Sequence, residues 1–209
     1  MPRFADQSIS AFLDALASPD PTPGGGTAAA VGGALGVALL MMVAGLPKTR
    51  GNTDTERAQL GETRAALDGV RERLLTLADT DTAAYNTVTA AYRLPKGTDE
   101  ERAARKQAVQ HAMRAATEAP LDILRAVAEA MAHAKVVAAL GNPSAASDVR
   151  VALELLEAAG AGASANVEIN LTTLQDEAYR KASASTMIEF SNQLTEHSAA
   201  ARGVITPAL

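Results

Sequence analysis

From Pro21 to Pro47 the chain carries no charged side chain, and residues 28–46 alone are long enough to cross a bilayer. Most of the segment is Ala and Gly. Its bulk is confined to Val31, Leu35, Val37, Leu39, Leu40, Met41, Met42, Val43 and Leu46. A helix that is apolar all round either spans a membrane or is wholly buried. The segment starts too late, and lacks the basic leader, for a signal peptide. Gly32 and Gly36 lie four residues apart with Ala28 one turn earlier, a strip on which another helix can approach closely. These features favour a buried central helix over a membrane span, and no membrane partner is expected.

Composition agrees with a tightly packed helical protein. Among 209 residues there are 47 Ala, three Phe, three Tyr and no Trp. Strands favour β-branched and aromatic side chains, whereas Ala, Leu, Glu, Arg and Gln favour helices. The fold class expected is all-α, a multihelical bundle. No linker or internal repeat divides the chain, so residues 1–209 read as one domain with 203–209 as a flexible tail. The net charge is −5 and the basic residues are scattered, which argues against a nucleic-acid partner. With no cysteine, thiolate chemistry and disulfides are excluded. Three dispersed histidines (His111, His133, His197) without an HExxH pair give no metal site, and a cytoplasmic protein is expected.

Periodicity places the helices. Ile9, Phe12, Leu13 and Leu16 mark a short amphipathic helix over about 8–17, with Ser8 as N-cap. The Pro/Gly run over 18–26 cannot be helical. Thr27 opens the uncharged helix, which lasts to about Leu46. A long helix follows over about 55–93. Thr98 and Glu101 form a capping box that starts another, reaching about Leu140 with a kink or break near Pro120. Gly141-Asn142-Pro143 stops it. Two further helices cover about 144–174 and 176–201.

Several polar residues fall where packed helices want Leu. The stripe at 67, 70, 74, 77, 84 and 88 demands its next member at Asp81, while Asp79 falls off it. A carboxylate on such a stripe must be paired, solvated in a cleft, or protonated. The helix after Asn142 has a stripe at Ala152, Leu155, Ala159 and Ala163 that continues into Asn166, Asn170 and Leu174, with Asp148 one turn before Ala152. Beside two Gly/Pro-rich loops, these four residues point to a polar pocket. Gly24, Gly25 and Gly26 leave backbone bare at a helix start, where a flat ligand or an anion can lie close. No strand precedes them and no Lys-Ser/Thr follows, so neither a dinucleotide fingerprint nor a Walker loop fits.

These residues carry a resemblance. The segment from Ser18 to Thr27, Asp79-Thr-Asp-Thr-Ala-Ala-Tyr-Asn86, Leu94-Pro-Lys96, Gly141-Asn-Pro-Ser-Ala-Ala-Ser-Asp148 and Asn166-Val-Glu-Ile-Asn-Leu171 occur in register over about residues 8–180. The chain thereby resembles the cyclodeaminase/cyclohydrolase family: the cyclodeaminase half of formiminotransferase-cyclodeaminase and the stand-alone methenyltetrahydrofolate cyclohydrolases. The resemblance implies an interlocked homodimer acting on a tetrahydrofolate one-carbon adduct, with no cofactor besides that substrate. The chain departs from the family at Leu46-Pro-Lys-Thr-Arg-Gly-Asn52, where a Gly-Lys-Lys-Lys-Tyr-like stretch is usual. The charge is kept and the aromatic is missing.

Both family reactions centre on one carbon. In cyclodeamination, N10 attacks the formimino carbon and ammonia leaves. In cyclohydrolysis, water adds to the 5,10-methenyl carbon and the ring opens. One acid and one base serve either reaction. Asp81 is assigned as the acid/base, and Asp148 as its partner or as the group that binds the pterin edge. Two interacting carboxylates would raise one pKa. Asn142, Ser147, Asn166 and Asn170 supply neutral hydrogen bonds, and Gly24, Gly25, Gly26 and Thr27 a backbone wall. Lys48, Arg50 or Lys96 would meet the glutamate carboxylates. The loops at 24–26 and 142–148 are expected to wall one pocket, completed in some part by a partner subunit. The alternative class is a non-catalytic helical dimer, a scaffold or regulatory paralogue.

Overall fold

The computed structural model describes residues 3–48 and 51–205. Six α-helices account for its framework: α1 (Ile9–Ala17), α2 (Gly25–Gly45), α3 (Asp54–Tyr92), α4 (Asp99–Leu140), α5 (Ala146–Leu171) and α6 (Glu177–Arg202). No strand occurs among the described residues. Single 3₁₀ turns at Phe4–Asp6 and Pro143–Ala145 precede α1 and α5. Starts are set locally. Ser8 Oγ accepts from Ala11 N–H, and Thr53 with Glu56 and Thr98 with Glu101 complete capping boxes on α3 and α4.

Helices α2, α3, α4 and α5 close a ring in which each packs on its two neighbours, and α6 lies against α4 and α5. Val37, Leu40, Leu67, Leu74, Ile123, Leu124, Val127, Met131, Leu153 and Leu156 fill the middle with no exposed surface. Small residues let the backbones close up. A side chain at Gly36 would meet Ala152 O and Leu156 Cγ at 3.0 Å, and one at Gly33 would meet Val127 at 3.1 Å.

Burial of α2 is one-sided in the single chain. Its inner face is covered, while Leu35 (55% exposed) and Met42 (42%) lie open, and a side chain at Gly32 would meet nothing within 4 Å. The helix is long and apolar enough to cross a membrane, with mean hydropathy 2.1, and half of that window is buried inside the bundle.

Of the kink or break expected near Pro120, the break does not occur, and α4 runs on past it. Proline removes the N–H that Ala116 C=O would accept. Asn170 Nδ2 donates to that carbonyl instead, at 2.6 Å. Of the tail expected at 203–209, Ile205 packs on the core, and 206–209 lie outside the described residues.

Candidate active site

Where α2 begins, Gly24 caps the helix without a side-chain bond. A carboxyl from α3 takes that place. Thr27 Oγ1 donates to Asp81 Oδ2 at 3.0 Å, and the Thr27 backbone N–H bonds the same carboxyl. The fit depends on Gly26, because a Cβ there would coincide with the carboxyl, 2.8 Å from Oδ2 and nearer still to Cγ and Oδ1. Burial pushes the Asp81 pKa above the usual carboxylate range, and the two Thr27 bonds pull it partly back. The positive end of the α2 dipole also favours the ionised form. A carboxyl held between these tendencies can take and return a proton.

Asp81 lines a cleft of about 240 Å³ together with Gly24, Gly25, Gly26, Tyr85, Val88, Met113, Ala116, Asn166 and Asn170. Pro21 and Thr22 complete its rim. Four helices contribute. The Pro/Gly loop and the start of α2 form one side, α3 brings Asp81, Tyr85 and Val88, α4 brings Met113 and Ala116, and α5 the two asparagines. Asn166 Nδ2 donates to Gly162 O at 2.8 Å, and Asn170 Nδ2 to Ala116 O. Neither Oδ1 bonds the protein among the described residues, so each amide keeps an acceptor for a ligand. Both flank the buried stripe of α5, which Ala163, Val167 and Leu171 occupy.

Other expected residues lie elsewhere. Thr27 is fully buried and does not line the cleft, so it holds Asp81 instead of touching a ligand. Lys48, Asn142, Ser147 and Asp148 sit at the opposite end of α2, about 30 Å away along a 21-residue helix. There Lys48 Nζ reaches Leu140 O at 3.4 Å, and Asn142 bridges Pro47 O and Ser144 N–H. Within one chain the loops at 24–26 and 142–148 therefore do not wall a common pocket. Within one chain Asp148 does not reach Asp81, whose pKa is raised by burial. Lys96 is exposed in the α3–α4 loop and does not line the cleft. Arg50 lies outside the described residues. Asp79, off the stripe as expected, accepts from Phe4 N–H at 2.9 Å and pairs with Arg3 at 3.5 Å.

Tyr85, Met113 and Ala116 were not singled out from the sequence, and Val88 was read only as an apolar stripe position. Tyr85 and Val88 stand four and seven residues beyond Asp81, one helical face, so the period that marked Asp81 also marks them. Met113 and Ala116 carry no comparable sign. No cluster of three His, Asp or Glu side chains that could hold a metal occurs among the described residues.

Comparisons with known proteins agree on one family. The formiminotransferase-cyclodeaminase family profile matches residues 8–189. A methenyltetrahydrofolate cyclohydrolase of Methylorubrum extorquens is 40% identical over 174 residues, covering 83% of this chain and 84% of that one. A rat formimidoyltransferase-cyclodeaminase is 33% identical over 176 residues, and the match takes in 84% of this chain but 32% of that longer protein. The crystal structure of a formiminotetrahydrofolate cyclodeaminase from Thermotoga maritima superposes with a TM-score of 0.86 at 27% identity, covering 96% of both chains. From the matched profile and these relatives, the chain belongs to the formiminotransferase-cyclodeaminase family.

Proposed function

We propose that the chain is a folate one-carbon enzyme that hydrolyses 5,10-methenyltetrahydrofolate, with Asp81 as its general base. The observation that carries the reading is the Asp81 carboxyl set into the space left by Gly26 on the wall of the cleft. Water adding to the methenyl cation loses a proton, and a carboxylate held beside that carbon both accepts it and offsets the positive charge. The half-exposed Tyr85 ring stacks on the flat pterin or aminobenzoyl group, and Asn166 and Asn170 accept from its N–H edges. The cleft lies below the roughly 300–1,000 Å³ of drug-sized ligand sites, so the glutamate tail extends outside it. The reaction as written draws on no cofactor beyond its substrate. Hydrolysis is put first because the cyclohydrolase relative matches over most of its own length.

Cyclodeamination is the second reading, favoured by the Thermotoga maritima match over 96% of both chains. There Asp81, in its protonated form, gives a proton to the departing ammonia. An ultraviolet assay offering the methenyl and formimino adducts separately decides between the two. Calorimetric binding of tetrahydrofolate without turnover of either adduct would support the non-catalytic alternative, and no binding at all would end the folate reading.

We also propose a homodimer, built on the open side of α2. Leu35, Met42 and Leu46 are exposed and Leu39 is half-buried, and on the adjacent α5 Val151 and Ile169 are 50% and 64% exposed. This face is uncharged along the length of α2, and a second copy supplies a matching apolar face. Covering α2 in this way accounts for its composition in a cytoplasmic enzyme, without a membrane.

A further inference from the structure

Behind the cleft, α3 carries a second cavity of about 350 Å³, lined by Arg3, Phe4, Gln7, Asp79, Thr82, Ala83 and Asn86. Two hydroxyls lie between it and Asp81. Thr27 Oγ1 stands 3.0 Å from Asp81 Oδ2 and 3.0 Å from Thr82 Oγ1. Thr27 is fully buried, and Thr82 is 9% exposed. We propose that Thr82 ends a hydroxyl relay that carries the proton of Asp81 out of the cleft, through Thr27, into this second cavity.

The proposal rests on the cyclohydrolase reading. The methenyl cation and one water become the neutral formyl product and one proton. As the C–O bond forms, one water proton passes to Asp81. As the N5–C bond breaks, its electron pair goes to N5, which receives the other water proton as the carbonyl forms. One proton per turnover must therefore leave Asp81, and the relay lets it leave while the ligand covers the open side. In the relay, protonated Asp81 donates to Thr27 Oγ1, Thr27 donates to Thr82 Oγ1, and Thr82 donates to solvent in the second cavity. Each hydroxyl gains one proton and loses one, then rotates back. A hydroxyl can both donate and accept, which a methyl cannot.

Thr82 acts through Thr27, so it is a positioning residue and not a catalytic one. Its test uses Thr82→Val and Thr82→Ser, with turnover of methenyltetrahydrofolate followed in H₂O and D₂O. Thr82→Val is expected to lower kcat by roughly tenfold or more, with KM held within about twofold and a larger solvent isotope effect on kcat. Thr82→Ser is expected to restore most of kcat. Should the valine variant not fold, Thr82→Ala removes the same hydroxyl. A wild type that turns over beside Thr82→Val with unchanged kcat and isotope effect overturns the relay and leaves the folate reading standing. Equal impairment of the serine and valine variants overturns it too, since the hydroxyl would then not be the active part. A wild type without turnover removes both proposals together.

Discussion

A methyl group at position 26 would occupy the space that the Asp81 carboxyl now fills. Gly26→Ala is therefore expected to push the carboxyl out of its two Thr27 bonds, costing about 1–3 kcal/mol of stability and abolishing turnover. Thermal melting and activity measured together check this. Asp81→Asn should behave differently. Asp81 has a raised pKa in the folded protein because burial disfavours its charged form. The folded state then binds the proton more tightly than the unfolded chain. The stability linked to that proton is present at low pH and is lost as pH rises from the ordinary carboxylate range through the raised value. Asparagine carries no such charge. Melting temperatures of wild type and Asp81→Asn are expected to diverge in favour of the variant as pH rises through that window. A constant difference across it would show that burial does not strain this carboxyl.

At the scale of the element, α2 has two faces that respond differently to bulk. Gly36 lies against the backbone of α5, so Gly36→Leu is expected to overpack it and cost about 1–3 kcal/mol or more. Gly32 faces open space, and Gly32→Leu is expected to leave the single-chain fold intact. Comparing the two melting curves, with oligomeric state checked alongside, separates packing within the chain from packing between chains. Helix α4 offers a second test. Asn170→Ala orphans the Ala116 carbonyl and is expected to cost about 1–3 kcal/mol. In a Pro120→Ala background the restored backbone N–H takes over that carbonyl, so the cost should shrink. An unchanged cost would mean that Asn170 stabilises α4 by another route. The elements themselves were legible, because the capping box at Thr98 and apolar spacing are local signals. The continuity of α4 was not, since the group that rescues the Ala116 carbonyl is 54 residues away in sequence.

Across the whole molecule, the proposed homodimer would cover the exposed apolar residues of α2 and α5. Light scattering is expected to show a dimer, and Leu35→Glu is expected to yield a folded monomer by placing a charge where apolar faces meet. A wild-type monomer at micromolar concentration would contradict the dimer. The site was half legible for the same reason that the fold was. Helical period marked Asp81, and the bare backbone of Gly24 to Gly26 marked its wall, but neither reports which end of α2 a distant loop reaches. Asp148 and Asn142 belong to the family blocks, Lys48 to the stretch that departs from them, and all three lie a helix length from Asp81 in one chain. The central claim is that Asp81 moves the proton at the methenyl carbon, and turnover of methenyltetrahydrofolate by wild type and Asp81→Asn tests it most directly. The account predicts a folded Asp81→Asn protein that binds tetrahydrofolate yet turns over about 10²–10⁴ times more slowly. Near-normal turnover by that variant would contradict it.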